Sequence, residues 1–424
     1  MSYFAHLKFN FLPMLLSRTI PVLAITLMFA MIAHSLNSEL AVFSYALAIL
    51  AVVSALFSMC LSATGNLIAS PSVDVTMAQR IFSSGLYLSA VTALAATLTA
   101  LALTQLVSVL PGAQKMDSVT LTRLMLIYIA CIPLTIFNTF FHLFHESSGF
   151  ALHCTKLKTI ATLAGGGFLA ISFLFTDQSN LLFCLMCYFI LTEGIVLACF
   201  IKLSKQRSLQ FRITRNGKII SQTLTLGLPI ALGLGGQKIY FYLLNEQLAF
   251  LDFNLVSQLA IFMTLAGILL LPFISLGQAH SLYVSKTGRN LLSTYAYGIG
   301  WLILLTVIIS ITGVFFGSAM FTLVGGSTLL PSSGILAALL FFLVSNGLMS
   351  ISMGHLRGMN DTLKPQIIVN VMIFITLIPI FYFFAPVPAE LAWYMEIQSG
   401  ALLMISAVLS VRIWILTRPK TQNK

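Results

Sequence analysis

Glu193 stands deep in a long apolar run, within Leu191-Thr192-Glu193-Gly194. A carboxylate at bilayer depth costs at least about 2.5 to 3.5 kcal/mol unless it pairs or faces water, so this residue is a candidate to bind an ion or substrate. Glu396, about two turns into another apolar run, is a second acid of the same kind. Lys238 and Glu246 lie close to one face of a further run, with Tyr242 and Asn245 between them. Lys238 is near enough to the end of its run for the amine either to snorkel to water or to line a cavity. Arg18 is placed similarly in the first run, where its guanidinium suits a phosphate group.

Metal and thiol chemistry find less support. His142-x-x-His145-Glu146 puts two imidazoles on one helix face, but a metal site wants a third protein ligand and partners that orient the rings, which the sequence does not offer. Cys184-x-x-Cys187 lacks a second pair or a nearby His, so the 6 cysteines read as free thiols and neither metal nor cofactor is expected. His34 and His280, near the ends of apolar runs, read as interfacial or cavity-lining groups. A membrane-embedded, acyltransferase-like enzyme would need an intramembrane His with a paired Asn or Asp, and that spacing is absent, so no enzyme is expected.

The elements that carry these residues follow from composition. Hydrophobic residues make up 58% of the 424 residues and charged ones only 8%. Soluble domains carry about 25% charged residues. A helical span needs about 20 residues, and apolar runs of that order occur at 11–35, 40–69, 80–110, 121–144, 158–175, 180–201, 221–245, 253–281, 290–318, 329–354, 364–385 and 389–416. The runs lack the alternation of barrel strands. The fold class is therefore an all-α polytopic membrane protein of about twelve transmembrane helices. Loop signals separate the runs at Ser70-Pro71-Ser72, Pro111-Gly112, Asp177-Gln178-Ser179-Asn180, Gly325-Gly326-Ser327 and Pro386-Val387-Pro388.

The formal net charge of +11 is explained by topology rather than nucleic acid. With the N-terminus inside, the basic residues of nearly every connection fall on the inner side, among them Arg80, Lys156, Lys158, Lys286, Arg289, Arg357, Lys364, Lys420 and Lys424, and only Lys115 and Arg123 fall outside. Both termini are expected in the cytoplasm. The densest basic stretch, residues 202–220, reads as a cytoplasmic linker that touches anionic lipid head groups. It separates residues 1–201 and 221–424, read as two six-helix bundles. Internal similarity supports two halves: Leu12-Pro13 opens the first span and Leu228-Pro229 the seventh, while Ser84-Gly85-Leu86 in the third answers Tyr297-Gly298-Ile299 in the ninth. Transporters commonly use such pseudo-symmetric repeats. Gly165-Gly166-Gly167 and Gly233, Gly235 and Gly236 allow close helix approach.

At Gly354-His355-Leu356-Arg357-Gly358-Met359-Asn360-Asp361-Thr362 the sequence resembles the loop after the tenth helix of the multidrug and toxic compound extrusion (MATE) family, which often reads GxLRGxxDT. Leu12-Pro13, Leu226-Gly227-Leu228-Pro229-Ile230 and Glu39-Leu40-Ala41-Val42-Phe43-Ser44 resemble that family's first, seventh and second helix openings. The resemblance implies two bundles arranged as a V and export of small organic molecules, often cationic, by alternating access and antiport with H+ or Na+. It also implies carboxylates in the first, seventh and tenth helices. Counting from the shared prolines and the LRG loop, those positions hold Met28, Gln237 and Asn346. Either coupling has moved to Glu193 or another acid, or the substrate is anionic or neutral, or another force drives transport. Gln237 and Asn346 remain candidates to hydrogen-bond a substrate.

The expected protein is a secondary active exporter of drugs, toxins or metabolites, a monomer in a bacterial cytoplasmic membrane. Its candidate binding residues are Glu193, Gln237, Lys238, Tyr242, Asn346, Arg18 and Glu396, with no metal ligand. The alternative within the same superfamily is a lipid-linked oligosaccharide flippase, for which Arg18 and Lys238 would hold the pyrophosphate.

Overall fold

Backbone in a bilayer has no water to bond, so each apolar run closes its hydrogen bonds within a helix. The computed structural model describes residues 3–36, 39–68, 74–107, 109–175, 178–287, 291–325, 332–359, 361–386 and 390–418. Among the described residues there is no strand, and ten helices are long and apolar enough to cross a membrane. The chain is an integral membrane protein. In order, the helices are α1 Tyr3–Ser35, α2 Leu40–Met59, α3 Thr64–Ile68, α4 Val75–Val107, α5 Ser118–His145, α6 Ala151–Phe175 and α7 Gln178–Gln206. There follow α8 Gly217–Leu251, α9 Phe253–Thr287, α10 Leu291–Gly325, α11 Ser333–Gly358, α12 Leu363–Met372, α13 Ile378–Phe383 and α14 Leu391–Thr417.

Three runs differ from their sequence reading. The second breaks after Met59 through successive tight turns, with Leu61, Ser62 and Thr64 donating to the carbonyls of Ser58, Met59 and Leu61. The helix resumes as the short α3. The run expected at 158–175 begins earlier, at Ala151, and α6 has 25 residues. Gly149 (φ 89°) allows this, because its left-handed backbone turns α5 into α6 through the π-helical stretch Glu146–Phe150. The eleventh run passes through a second π stretch, Ile373–Leu377, just before Pro379, which joins α12 to α13. Ser70-Pro71-Ser72, Asp177, Gly326, Ser327, Val387 and Pro388 lie outside the described residues, as do Arg289, Lys420 and Lys424.

By contact the chain forms two compact units that do not coincide with the halves divided at the linker. One comprises Met1–His34 and Ser257–Lys424, the other Ser35–Val256. The first helix of each half thus packs in the unit built mainly from the other half. In the second unit α8 lies along α2, and glycine makes the approach possible: a Cβ at Gly227 would meet the backbone of Cys60, and one at Gly235 the side chain of Leu56. In the first unit His34, at the end of α1, hydrogen-bonds the Leu323 carbonyl of α10 at 3.0 Å. Phe4 near the other end of α1 packs on Trp301, with ring centroids 5.8 Å apart. The basic linker is also shorter than expected, because α7 runs to Gln206 and α8 starts at Gly217 with Asn216 as its N-cap.

Candidate functional site

In the unit of residues 35–256, α7 packs on α5 and α6. A Cβ at Gly165 would run into Thr192 and Tyr188, so this glycine brings α6 onto α7 one residue before Glu193. Gly166 and Gly167 have nothing within 4 Å of a Cβ, so only the first glycine of the run serves packing. Asn138 of α5 faces Glu193 from the other side. Its Nδ2 donates to Glu193 Oε2 at 2.6 Å and to the Glu193 carbonyl at 2.8 Å. One amide thereby holds both the side chain and the backbone of the same acid. Asn138 is buried, and its Oδ1 has no hydrogen-bond partner among the described residues. Glu193, half-buried, is a carboxylate fixed by a neutral donor, which can take a proton without breaking an ion pair.

The α8 candidates are separated by their surroundings. Gln237 is half-buried and Lys238 exposed. Tyr242, half-buried, meets Tyr45 of α2 edge to face, with centroids 6.4 Å apart. Glu246 does not share a role with Lys238, although the two lie on similar faces in sequence. It is buried, accepts from the Tyr45 hydroxyl and accepts the Gly112 N–H at 2.8 Å. A Cβ at Gly112 would lie 2.8 Å from Glu246 Oε2 and 2.9 Å from the Ala249 side chain. The Pro111-Gly112 loop signal therefore marks an anchor of the α4–α5 connection on α8. Sequence reasoning did not count Glu246 among the candidate binding residues, and nothing in the sequence marked Tyr45 or Gly112 as its partners.

In the other unit, Arg18 on α1 is half-buried, Asn346 donates to the Phe342 carbonyl of its own helix at 2.9 Å, and Glu396 is exposed with no ion pair among the described residues. Met28 is fully buried, an apolar side chain where the resemblance expects an acid. Asp361 of the LRG loop pairs with Arg412 of α14, which ties that loop to the last helix. His280 departs from its interfacial reading: it is fully buried and hydrogen-bonded to Tyr3 and His355. The structure thus places Glu193 on α7 and the other candidates on α1, α8, α11 and α14, and it brings none of them into a hydrogen bond with Glu193 among the described residues.

The two histidines on α5 also part company. His142 approaches Glu146 at 3.3 Å. His145 accepts from Arg207 at 2.9 Å, so its other nitrogen, 2.8 Å from Ser204 Oγ, is the protonated one. Arg207 in turn stacks over Phe150 at 4.2 Å. A nitrogen that accepts from a guanidinium has no lone pair left for a metal. No disulfide joins the 6 cysteines.

No protein family matches this sequence, and no curated protein does. Comparison of the fold with solved structures is decisive. An inward-facing multidrug resistance MATE family transporter of the MOP superfamily superposes with a TM-score of 0.72 over 96% of each chain, at 13% identity. The chain has the MATE fold. An outward-facing multidrug resistance MATE transporter gives a TM-score of 0.64 at 14% identity, covering 97% of this chain and 96% of that one. A MOP superfamily transporter from Pyrococcus furiosus, described by a reversed polarity of its binding pocket that suggests a different function, gives 0.56 at 15% identity over 95% and 97%.

Proposed function

We propose that this chain exports small organic molecules from the cytoplasm by alternating access, with protons returning through Glu193. It acts as a monomer in a bacterial cytoplasmic membrane with both termini inside, and the basic linker rests on anionic lipid. The reading is transport and not catalysis. The observation that carries it is the Asn138–Glu193 pair within a MATE fold. Protonation turns the Glu193 carboxylate from an acceptor into a donor, and the Asn138 amide, whose Oδ1 lacks a partner among the described residues, can meet either form by rotating about its last bond. A hard cation such as sodium wants several oxygen ligands, whereas this carboxylate faces an amide N–H. That contrast favours protons over Na+ as the coupling ion.

The substrate in this reading carries no net positive charge. Neutral Gln237 and Asn346 stand where the resemblance expects acids, and Arg18 and Lys238 are cations. The Pyrococcus furiosus transporter, whose pocket polarity is described as reversed, offers a parallel within the same fold. The test is accumulation of dyes and antibiotics in inverted vesicles with and without a pH gradient. Glu193→Gln should abolish gradient-driven accumulation and spare passive exchange; unimpaired accumulation by that variant refutes the assignment.

A further inference from the structure

Three polar side chains that the carboxylate site does not use converge in the unit of α1 and α9–α14. His280 of α9 and His355 of α11 are both fully buried. Nε2 of His280 lies 3.0 Å from Nδ1 of His355, and Nδ1 of His280 lies 2.7 Å from the hydroxyl of Tyr3 at the start of α1. At the other end, Nε2 of His355 is buried and has no hydrogen-bond partner among the described residues. Buried polar atoms are nearly always bonded, so an orphan at the end of a bonded row calls for an explanation.

Packing alone does not require imidazoles here. The ninth-span motif Tyr297-Gly298-Ile299 leaves room for His280, since a Cβ at Gly298 would lie 2.8 Å from its Cε1. In the first half the corresponding Gly85 faces Phe140, within a cluster that includes Phe82, Phe141 and Phe144. There a phenylalanine meets the glycine, whereas in the second half a histidine does. The groups facing the pair are tyrosines and hydroxyls. Tyr283 of α9 and Tyr297 of α10 pack on Tyr3. Tyr295 of α10 meets His355 edge to face at 5.2 Å and bonds Ser352 of α11 and Ser410 of α14. Arg412 of α14 is held by Asp361. Among the described residues no carboxylate, ammonium or guanidinium is bonded to either ring.

We propose that Tyr3, His280 and His355 form a proton-transfer chain whose open end is Nε2 of His355. Two neutral arrangements satisfy the same contacts. In one, the Tyr3 O–H donates to His280 Nδ1, His280 Nε2–H donates to His355 Nδ1, and His355 Nε2 carries a hydrogen. In the other every donor is reversed, and His355 Nε2 is a bare lone pair. A proton arriving at that lone pair displaces the His355 Nδ1 hydrogen to His280 Nε2. The His280 Nδ1 hydrogen then passes to the Tyr3 oxygen, which releases its own hydroxyl proton to water at the start of α1, where Tyr3 keeps 8% exposure. One proton enters and one leaves, the rings stay neutral, and the second arrangement has become the first. The reverse passage restores it. Use of this chain to couple export rests on the reading of the protein as a proton-driven exporter; the chain itself rests on the geometry.

The experiment is 15N NMR of histidine-labelled protein in lipid nanodiscs, assigned by His280→Phe and His355→Phe. Both rings should show nitrogen signals averaged between the protonated and bare positions, and Tyr3→Phe, which keeps the ring contacts, should freeze them in one tautomer. Fixed tautomers in the wild-type protein would overturn the proposal. In proteoliposomes carrying a trapped pH dye, with fluorescein and ethidium as probes, Tyr3→Phe should slow substrate-linked proton movement by about tenfold or more and leave probe counterflow without a gradient unchanged. Equal proton movement in Tyr3→Phe and wild type overturns the chain's part in export and leaves proton return to Glu193 alone. Counterflow by neither probe in the wild type counts against the export reading alone, and the ring-nitrogen signals then decide the chain. They decide it as well if a His→Phe variant fails to insert.

Discussion

Glu246 is a buried acid with a structural role, in contrast to the transport role proposed for Glu193. Both it and Glu193 lie in apolar helices, but Glu246 accepts from a tyrosine hydroxyl and a backbone N–H, while Glu193 accepts from a single amide nitrogen on its side chain. Hydrogen bonds to a charged group contribute about 1.5 to 3 kcal/mol. Glu246→Gln should therefore lower stability in detergent by about that amount, read from thermal unfolding, without changing the pH dependence of transport. Tyr45→Phe should be non-additive with it, because one removes and the other weakens the same bond; a double-mutant cycle that adds within about 0.5 kcal/mol would deny the bond. Neither partner was legible in sequence. Tyr45 lies 201 residues from Glu246 and Gly112 lies 134 away, and no periodicity within α8 reports on such contacts. The Asn138–Glu193 pair was half legible, since the misplaced charge marks Glu193 but nothing marks Asn138 as its partner.

At the scale of helices, close approach is set by a few glycines and not by glycine content. Within the LRG motif, a Cβ at Gly354 would collide with the Gly277 backbone of α9, and one at Gly358 would lie 2.7 Å from the Ser281 carbonyl. Part of the family-like motif is thus a helix-packing device. Gly354→Ala should cost about 1 to 3 kcal/mol through overpacking. Gly166→Ala and Gly400→Ala, with nothing within 4 Å of the new methyl, should hold or raise stability, since alanine favours the helix by up to about 1 kcal/mol. Size-exclusion profiles and melting temperatures of the three variants separate the cases. Helix starts carry a pH signature as well. The hydroxyl and N–H of Thr120 hold the carboxyl of Asp117, the N-cap of α5, below the usual carboxylate range. A lowered folded-state value means that the cap stabilises α5 above the ordinary Asp range, about pH 4, and loses that contribution as pH falls through the lowered value. Asp117→Asn should melt below wild type at neutral pH, with the gap closing on acidification. A gap constant with pH would show that the cap acts without its charge.

For the whole molecule, composition was enough to show helical spans, because a bilayer restricts backbone so severely. Which helices share a compact unit was not legible. Leu12-Pro13 and Leu228-Pro229 mark the starts of two halves, yet α1 packs with residues 257–424 and α8 with residues 35–256. That exchange depends on Gly227 and Gly235 facing α2, a property of three-dimensional contact. The absence of acid at Met28, Gln237 and Asn346 was readable from the start, and its consequence belongs to the charge moved per transport cycle. One proton entering for one cation leaving moves no net charge, for a neutral substrate it moves one, and for an anion two. A charge crossing 100 mV contributes about 2.3 kcal/mol, roughly a fifty-fold gradient where every 1.4 kcal/mol is a factor of ten. If the substrate carries no positive charge, clamping the membrane potential to zero with valinomycin and potassium should sharply reduce accumulation at a fixed pH gradient. Replacing sodium with choline should leave it unchanged. Lys238→Ala should shift preference from anionic toward neutral or cationic probes. Accumulation that ignores the clamped potential would mean that the transported molecule is a cation after all, bound without the three acids.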